Sequence, residues 1–244
     1  MTYSTKVKWS FISAILASIC WIIGDMFVAG FDVNPEDYPL FAQTYADQVD
    51  VGFATLMLEG SSSRLMFGAL IASMTATLFL PGVWLACQYI IDKNKWYVWA
   101  TYFLLIISVV LMPLGHGVFF YTGEIFKAIY NTDPIAHPYL LEMANNFMTV
   151  TYITWATAIV ILLLAWLCYS ILVFTGKTRL PKWAGLISPV FIAIYQLPIK
   201  FILPQSELRG WLMAAAFNIA YLVFFVILLF VFKNRLKHPS VNNN

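Results

Sequence analysis

The chain has 244 residues, of which 61% are hydrophobic and 11% charged, against roughly 25% charged in an ordinary soluble domain. So much apolar surface cannot be hidden in one water-soluble core, and a net charge of +2 gives no support to nucleic-acid binding. Cys20, Cys87 and Cys168 all fall in apolar stretches, which excludes a disulfide framework and a Cys-x-x-Cys zinc or redox motif and leaves them as small packing residues.

Lys6 and Lys8 precede the first apolar run, a layout shared with secretory signals whose cleavage site would fall near Val28-Ala29-Gly30. The run from Trp9 to Phe31 is long enough to span a bilayer, and Gly24-Asp25 is out of place in the hydrophobic part of a signal, so it reads as a span. A helix needs about 20 mostly apolar residues to cross a core of about 30 Å, because its backbone must satisfy itself there. Five further segments qualify, from Arg64 to Ile91, Trp96 to Tyr121, Phe147 to Thr175, Trp183 to Leu203 and Arg209 to Phe232. The expected fold is one all-α domain, a bundle of six transmembrane helices, with Trp9, Trp96, Trp183 and Trp211 at headgroup level.

Charge orients the bundle. Lys6, Lys8, Lys93, Lys95, Lys177, Arg179, Lys182, Lys233, Arg235 and Lys237 put ten of fourteen basic residues on one side, and eleven of twelve acids, all but Asp92, lie on or near the other. By the preference of short cytoplasmic loops for Lys and Arg, both termini are expected inside. The two long outer connections, residues 32 to 63 and 122 to 146, are expected to carry short helices over the bundle mouth. In the first, Phe41, Tyr45, Val49 and Phe53 recur every four residues, interspersed with acidic positions such as Asp47 and Asp50, the pattern of a short amphipathic helix.

Packing signals are plainer than repeats, of which none is evident. Gly68, Ala72 and Ala76 offer a small-residue face on the second span. Pro81, Pro113, Pro189 and Pro198 fall within spans and should kink them where protein or water, not lipid, faces them. The only low-complexity run is Asn242–Asn244.

Ionisable groups inside spans are costly and usually face the bundle interior or a wet cavity. Here they gather toward the outer half: Asp25 on the first span, Glu59, Ser61–Ser63 and Arg64 at the start of the second, His116 between two glycines on the third, then Tyr121, Glu124, Lys127 and His137. Gln196 and Lys200 reach the same level on the fifth span, Arg209 and Asn218 on the sixth. Simpler roles compete. Lys200 and Arg209 have the reach to snorkel, Glu124 and Lys127 to form a surface pair, Asn218 to bond a neighbouring helix, and an Asp25 pair with Arg64 or His116 to serve assembly alone.

His116 and Glu124 lie eight residues apart, about 12 Å of rise and 80° of rotation on an unbroken helix, too far for one ion about 2 Å from each. No His-Glu-x-x-His or carboxylate-rich run is present, and no metal or other cofactor is assigned. The triserine beside Glu59 lacks the Gly-x-Ser-x-Gly elbow of a serine hydrolase and reads as a helix cap.

The stretches Gly24–Gly30, Leu58–Arg64 and His116 through His137-Pro138 resemble an uncharacterised bacterial family of multi-pass membrane proteins. The resemblance implies a bacterial inner-membrane location and no activity. The residues themselves suggest an outward-opening pocket that binds a small amphiphile or lipid-like molecule. Ligand-binding candidates are Asp25, Glu59, Arg64, His116, Tyr121, Glu124 and His137, with Arg64 for an anionic head. The alternative is a membrane enzyme acting on a lipid or isoprenoid at the outer face, with His116 as acid or base and Glu59 or Asp25 as its orienter. A transporter or a ligand-free assembly or sensory subunit comes after these. The partners expected are membrane lipids and a small amphiphilic ligand.

Overall fold

Polar residues at helix starts set where the elements begin. Thr2 caps α1 (Tyr3–Ala29) by accepting from the Thr5 amide, Asp50 caps α2 (Val51–Glu59) from Phe53, and Ser61 caps α3 (Ser62–Thr75) from Arg64. The computed structural model describes residues 2–236, so Lys237 and Asn242–Asn244 lie outside the described residues, as does the side chain of Lys200. A 3-10 turn, Ala76–Leu78, joins α3 to α4 (Phe79–Gln88), and two long helices follow, α5 (Trp96–Asn131) and α6 (His137–Phe174). After another 3-10 stretch, Lys182–Ile187, come α7 (Pro189–Gln196), α8 (Ile199–Ile202), α9 (Glu207–Ala214) and α10 (Ala216–Ile227). Among the described residues there is no strand, and the one β-bridge pairs Ile90 with Thr178.

Five helical stretches among the described residues are long and apolar enough to cross a membrane: Tyr3–Ala29, Ser62–Gln88, Trp96–Asn131, Pro134–Phe174 and Ala216–Arg235. Their outward faces carry large exposed apolar side chains, such as Leu16, Leu70, Phe103 and Val160. Apolar surface on that scale needs lipid, not water, around it. The chain is a helical membrane protein.

Two connections differ from the sequence reading. Residues 122 to 146 are not a loop, because α5 runs on to Asn131 and α6 starts at His137. Glu124, Lys127 and Glu142 lower the local hydropathy without breaking a helix, and the first real stop is Thr132-Asp133-Pro134, where Asp133 caps the turn at Ile135. At 36 residues α5 is about 54 Å long, well beyond a bilayer core, so the α5–α6 hairpin projects. The expected amphipathic helix through Phe41, Tyr45, Val49 and Phe53 is split between a turn at Leu40–Thr44 and α2. Phe41 and Phe53 still face the bundle, meeting Phe126 and Phe119 at ring-centroid distances of 5.6 and 5.4 Å.

The segment from Trp183 to Leu203 is broken rather than a single long helix. Pro189 starts α7, Pro198 separates it from α8, and Gln196 donates to the Ala216 carbonyl at 2.8 Å. The chain nevertheless travels the length of the bundle here. Arg179 N–H donates to the Tyr89 carbonyl at one end, while Ser206 and Arg209 bind Asp32, beyond the far end of α1, at the other. Arg235 returns to the first end and donates to the Arg179 carbonyl.

A large core links α1, α4, α5, α6 and α10 around Trp21, Phe79, Trp166, Tyr221 and Phe224. A second core, including Phe41, Met57, Phe126, Ile129 and Leu141, binds α2 to the projecting hairpin. The space between these cores, at the far end of α1, holds the site.

Candidate functional site

Asp25 lies one turn below the end of α1, and its neighbours come from distant parts of the chain. Asn218 on α10 donates its amide to Asp25 Oδ2 at 2.6 Å. His116 on α5 brings Nε2 to 3.7 Å from Oδ1, an ion-pair distance but not a hydrogen bond. Trp21, four residues before Asp25 and so on the same helix face, stacks on the His116 ring at 5.0 Å. These neighbours are deeply buried, with exposures of 6% for His116, 3% for Asn218 and 4% for Trp21. Among the described residues, His116 Nε2, Asn218 Oδ1 and Trp21 Nε1 have no hydrogen-bond partner. Buried polar atoms in folded proteins are nearly always satisfied, so three at one place call for an explanation.

These groups form the polar end of a cavity of about 360 Å³. Its walls are otherwise apolar and aromatic: Met112 and Phe119 of α5, Trp155 and Leu162 of α6, Met213 and Phe217 flanking the start of α10. Below it, α6 and α10 are tied by the Trp166 indole donating to the Tyr221 hydroxyl at 2.7 Å. Above it, Phe53 and Leu56 of α2 form a roof. The roof is fastened where the Tyr152 hydroxyl of α6 donates to Asp50, the cap of α2. Tyr152 and Trp155 line the cavity yet are 42% and 44% exposed, so it reaches the flank of the bundle at α6.

Of the seven ligand-binding candidates named from sequence, Asp25 and His116 line this cavity and the other five do not. Arg64 lies on the opposite side of α1, donating to the Met26 carbonyl at 3.1 Å with its guanidinium 4.1 Å from the Phe31 ring centroid. Glu59 accepts from the Tyr38 hydroxyl at 2.7 Å. Burial, and then the Glu59 carboxylate, push the Tyr38 phenol well above its ordinary range. Glu124 pairs with Lys127 at 3.2 Å, and Tyr121 is 62% exposed. His137 is buried in the projecting cap, its Nδ1 2.7 Å from the Tyr45 hydroxyl and its Nε2 3.1 Å from the Thr132 carbonyl. The seven candidates therefore divide into a site pair and separate structural contacts. The physical reason is that α1 turns Asp25 and the Arg64-binding carbonyl of Met26, one residue later, to different faces.

Asn218 is the functional candidate that sequence reading treated only as a helix-bonding residue. Its signal was a lone amide in an apolar run, ambiguous until Asp25 is placed opposite. Trp21, Trp155 and Phe217 gave no signal beyond aromaticity.

The chemistry on offer is limited. Asp25 and His116 can accept hydrogen bonds or exchange a proton. Of the hydroxyls on lining residues, that of Thr151 shares a 2.7 Å hydrogen bond with Thr122 and donates to the Phe147 carbonyl, and that of Tyr152 donates to Asp50. Ser61 is occupied as the α3 cap. Among the described residues, no group of three or more His, Cys, Asp or Glu is placed to hold a metal ion.

Residues 1–235 match a family of unknown function, DUF6796, and the chain belongs to that family. No curated protein and no solved structure matches it.

Proposed function

We propose that this family member binds a small amphiphile in the cavity between α6 and α10, the polar head against Asp25, His116 and Asn218 and the chain along the aromatic wall. The observation that carries the reading is the set of buried polar atoms without partners at one end of an otherwise apolar cavity. Its volume of about 360 Å³ falls within the usual range for small-molecule sites. The exposed Tyr152 and Trp155 offer a route from the lipid at the bundle's flank, which suits a ligand that partitions into membranes.

The same reading assigns six crossings, the fifth made of α7 and α8 as a broken helix, with both termini cytoplasmic in a bacterial inner membrane. The course of the chain from Arg179 to Asp32 and back to Arg235 supports a sixth crossing. Lys93, Lys95, Lys177, Arg179, Lys182, Lys233 and Arg235 near one end support its being cytoplasmic. The site then faces the extracytoplasmic half of the bilayer, beneath the α2 roof.

Extraction of the purified protein followed by mass spectrometry should release an amphiphile in near-stoichiometric amount, and His116→Ala should retain less of it while keeping its helical circular dichroism. Wild-type protein that retains no amphiphile and takes up none on titration would overturn the reading. A C-terminal reporter fusion active outside the cytoplasm would overturn the orientation separately.

A further inference from the structure

The polar end of the cavity is dominated by acceptors. Asn218 donates one amide hydrogen to Asp25 and leaves Oδ1 without a partner. His116 Nε2 is unpartnered and accepts when the ring carries its proton on Nδ1. Among the described residues, Asp25 is the only formally charged side chain lining the cavity. The donors in the same wall are the unpartnered Trp21 indole N–H and the second amide hydrogen of Asn218.

Three cations at this end of the molecule whose side chains are described are engaged elsewhere. Arg64 is held by the Met26 carbonyl and the Phe27 and Phe31 rings, Arg209 binds Asp32 at 2.8 Å, and Lys127 binds Glu124. The sequence had suggested an anionic head held by Arg64, and Arg64 does not reach the cavity. An anionic head there would meet the Asp25 carboxylate and two acceptor atoms, with only the indole N–H and one Asn218 amide hydrogen in return, in surroundings where water screens little.

We infer that the ligand is an amphiphile with a primary ammonium head, cradled by Asp25, Asn218 and His116 with its chain along Phe119, Trp155 and Phe217. This rests on the amphiphile-binding reading and narrows it. A primary ammonium has three donors and no acceptor, which complements three acceptor groups, and its charge is matched by Asp25. The rings of Trp21 and Phe119 flank His116 and add a favourable electrostatic environment for a cation. A hydroxyl head has one donor and would leave acceptors without partners.

The test compares three probes of equal chain length, dodecylammonium, dodecanol and dodecanoate, titrated into the delipidated full-length protein in a neutral detergent and read by native mass spectrometry. Dodecylammonium should bind about tenfold or more tighter than either of the others. Asp25→Asn should bring dodecylammonium down to the level of dodecanol while dodecanol binding is kept. Equal binding of dodecanol, or equal or tighter binding of dodecanoate, to the wild-type protein overturns the ammonium assignment and leaves the cavity reading standing. Failure of all three to bind saturably overturns the cavity reading itself. The wild-type comparison decides the matter even if Asp25→Asn does not fold.

Discussion

Asn218 donates its side-chain amide to Asp25 across 2.6 Å, joining α10 to α1 over 193 residues of chain. Among the described residues this is the one hydrogen bond made to the Asp25 side chain. Asn218→Leu removes it and leaves a buried carboxyl without a donor, a loss of about 1–3 kcal/mol. The thermal midpoint in detergent should fall accordingly, and Asn218→Asp should fall further because it sets two carboxyl groups side by side. An unchanged midpoint in Asn218→Leu would mean that α1 and α10 are held without this contact.

The contact between Tyr152 and Asp50 governs a different property. Asp50 both caps α2 through the Phe53 amide, at 2.9 Å, and receives the Tyr152 hydroxyl from α6. Tyr152→Phe keeps the cap and loses only the fastening, so α2 should open more often over the cavity while the bundle stays folded. For an exposed bond to a charged group the effect is about 1 kcal/mol, roughly a fivefold rise in amide exchange across Val51–Glu59. Asp50→Ala should exceed it, since the cap goes as well. Exchange that is unaltered in Tyr152→Phe would show that the second hydrophobic core alone holds the roof.

What sequence could and could not disclose follows from the range of each signal. Hydropathy marks the long helices because lipid demands about 20 apolar residues in a row, and against that background Asp25 and His116 stand out as costly polar groups, which the structure turns toward each other inside the bundle. It misplaces the end of α5 because Glu124 and Lys127 are polar but good helix formers, so the drop in hydropathy there does not mark the helix end. It grouped Arg64 with Asp25 because both lie near the same level. Level is what a span prediction supplies, and facing is not. Only the crossing of α1 and α3 decides that Arg64 turns to Phe31 while Asp25 turns to Asn218.

Asp32 makes the link between the end of α1 and the start of α9 pH-dependent. Burial pushes its carboxyl up, but hydrogen bonds from Arg209 and the Ser206 amide outweigh this and hold it below the ordinary carboxylate range. A depressed folded-state value means that the contribution to stability is complete above the unfolded value, about 3.9, and is lost as pH falls through the folded one. The pair is partly exposed, so the contribution is about 1 kcal/mol or less. Arg209→Gln should therefore shift the acid loss of α9 docking to higher pH, followed by exchange of the Glu207–Ala214 amides, and should leave stability near neutral pH only slightly reduced. An acid profile identical to wild type would remove Asp32 as its cause.

The closest test of the site's framework is a pair of glycines that differ in surroundings. A Cβ added at Gly24 would stand 2.8 Å from Ala72 Cβ, 3.0 Å from the Gly68 carbonyl oxygen and 3.1 Å from His116 Nε2. The first two are backbone or backbone-fixed atoms of α3, so nothing flexible can yield, and the third belongs to the cavity. Gly24→Ala must either part α1 from α3 or displace the imidazole, at about 1–3 kcal/mol, and amphiphile retention should fall with stability. At Gly117, one residue after His116, the nearest atom to an added Cβ is Ser73 Oγ at 3.8 Å, an ordinary contact. Gly117→Ala should be neutral or raise stability by up to about 1 kcal/mol, because alanine is the better helix former. Equal thermal midpoints for the two variants would show that α1 and α3 do not approach this closely, and that Asp25 and His116 are not held together by the crossing.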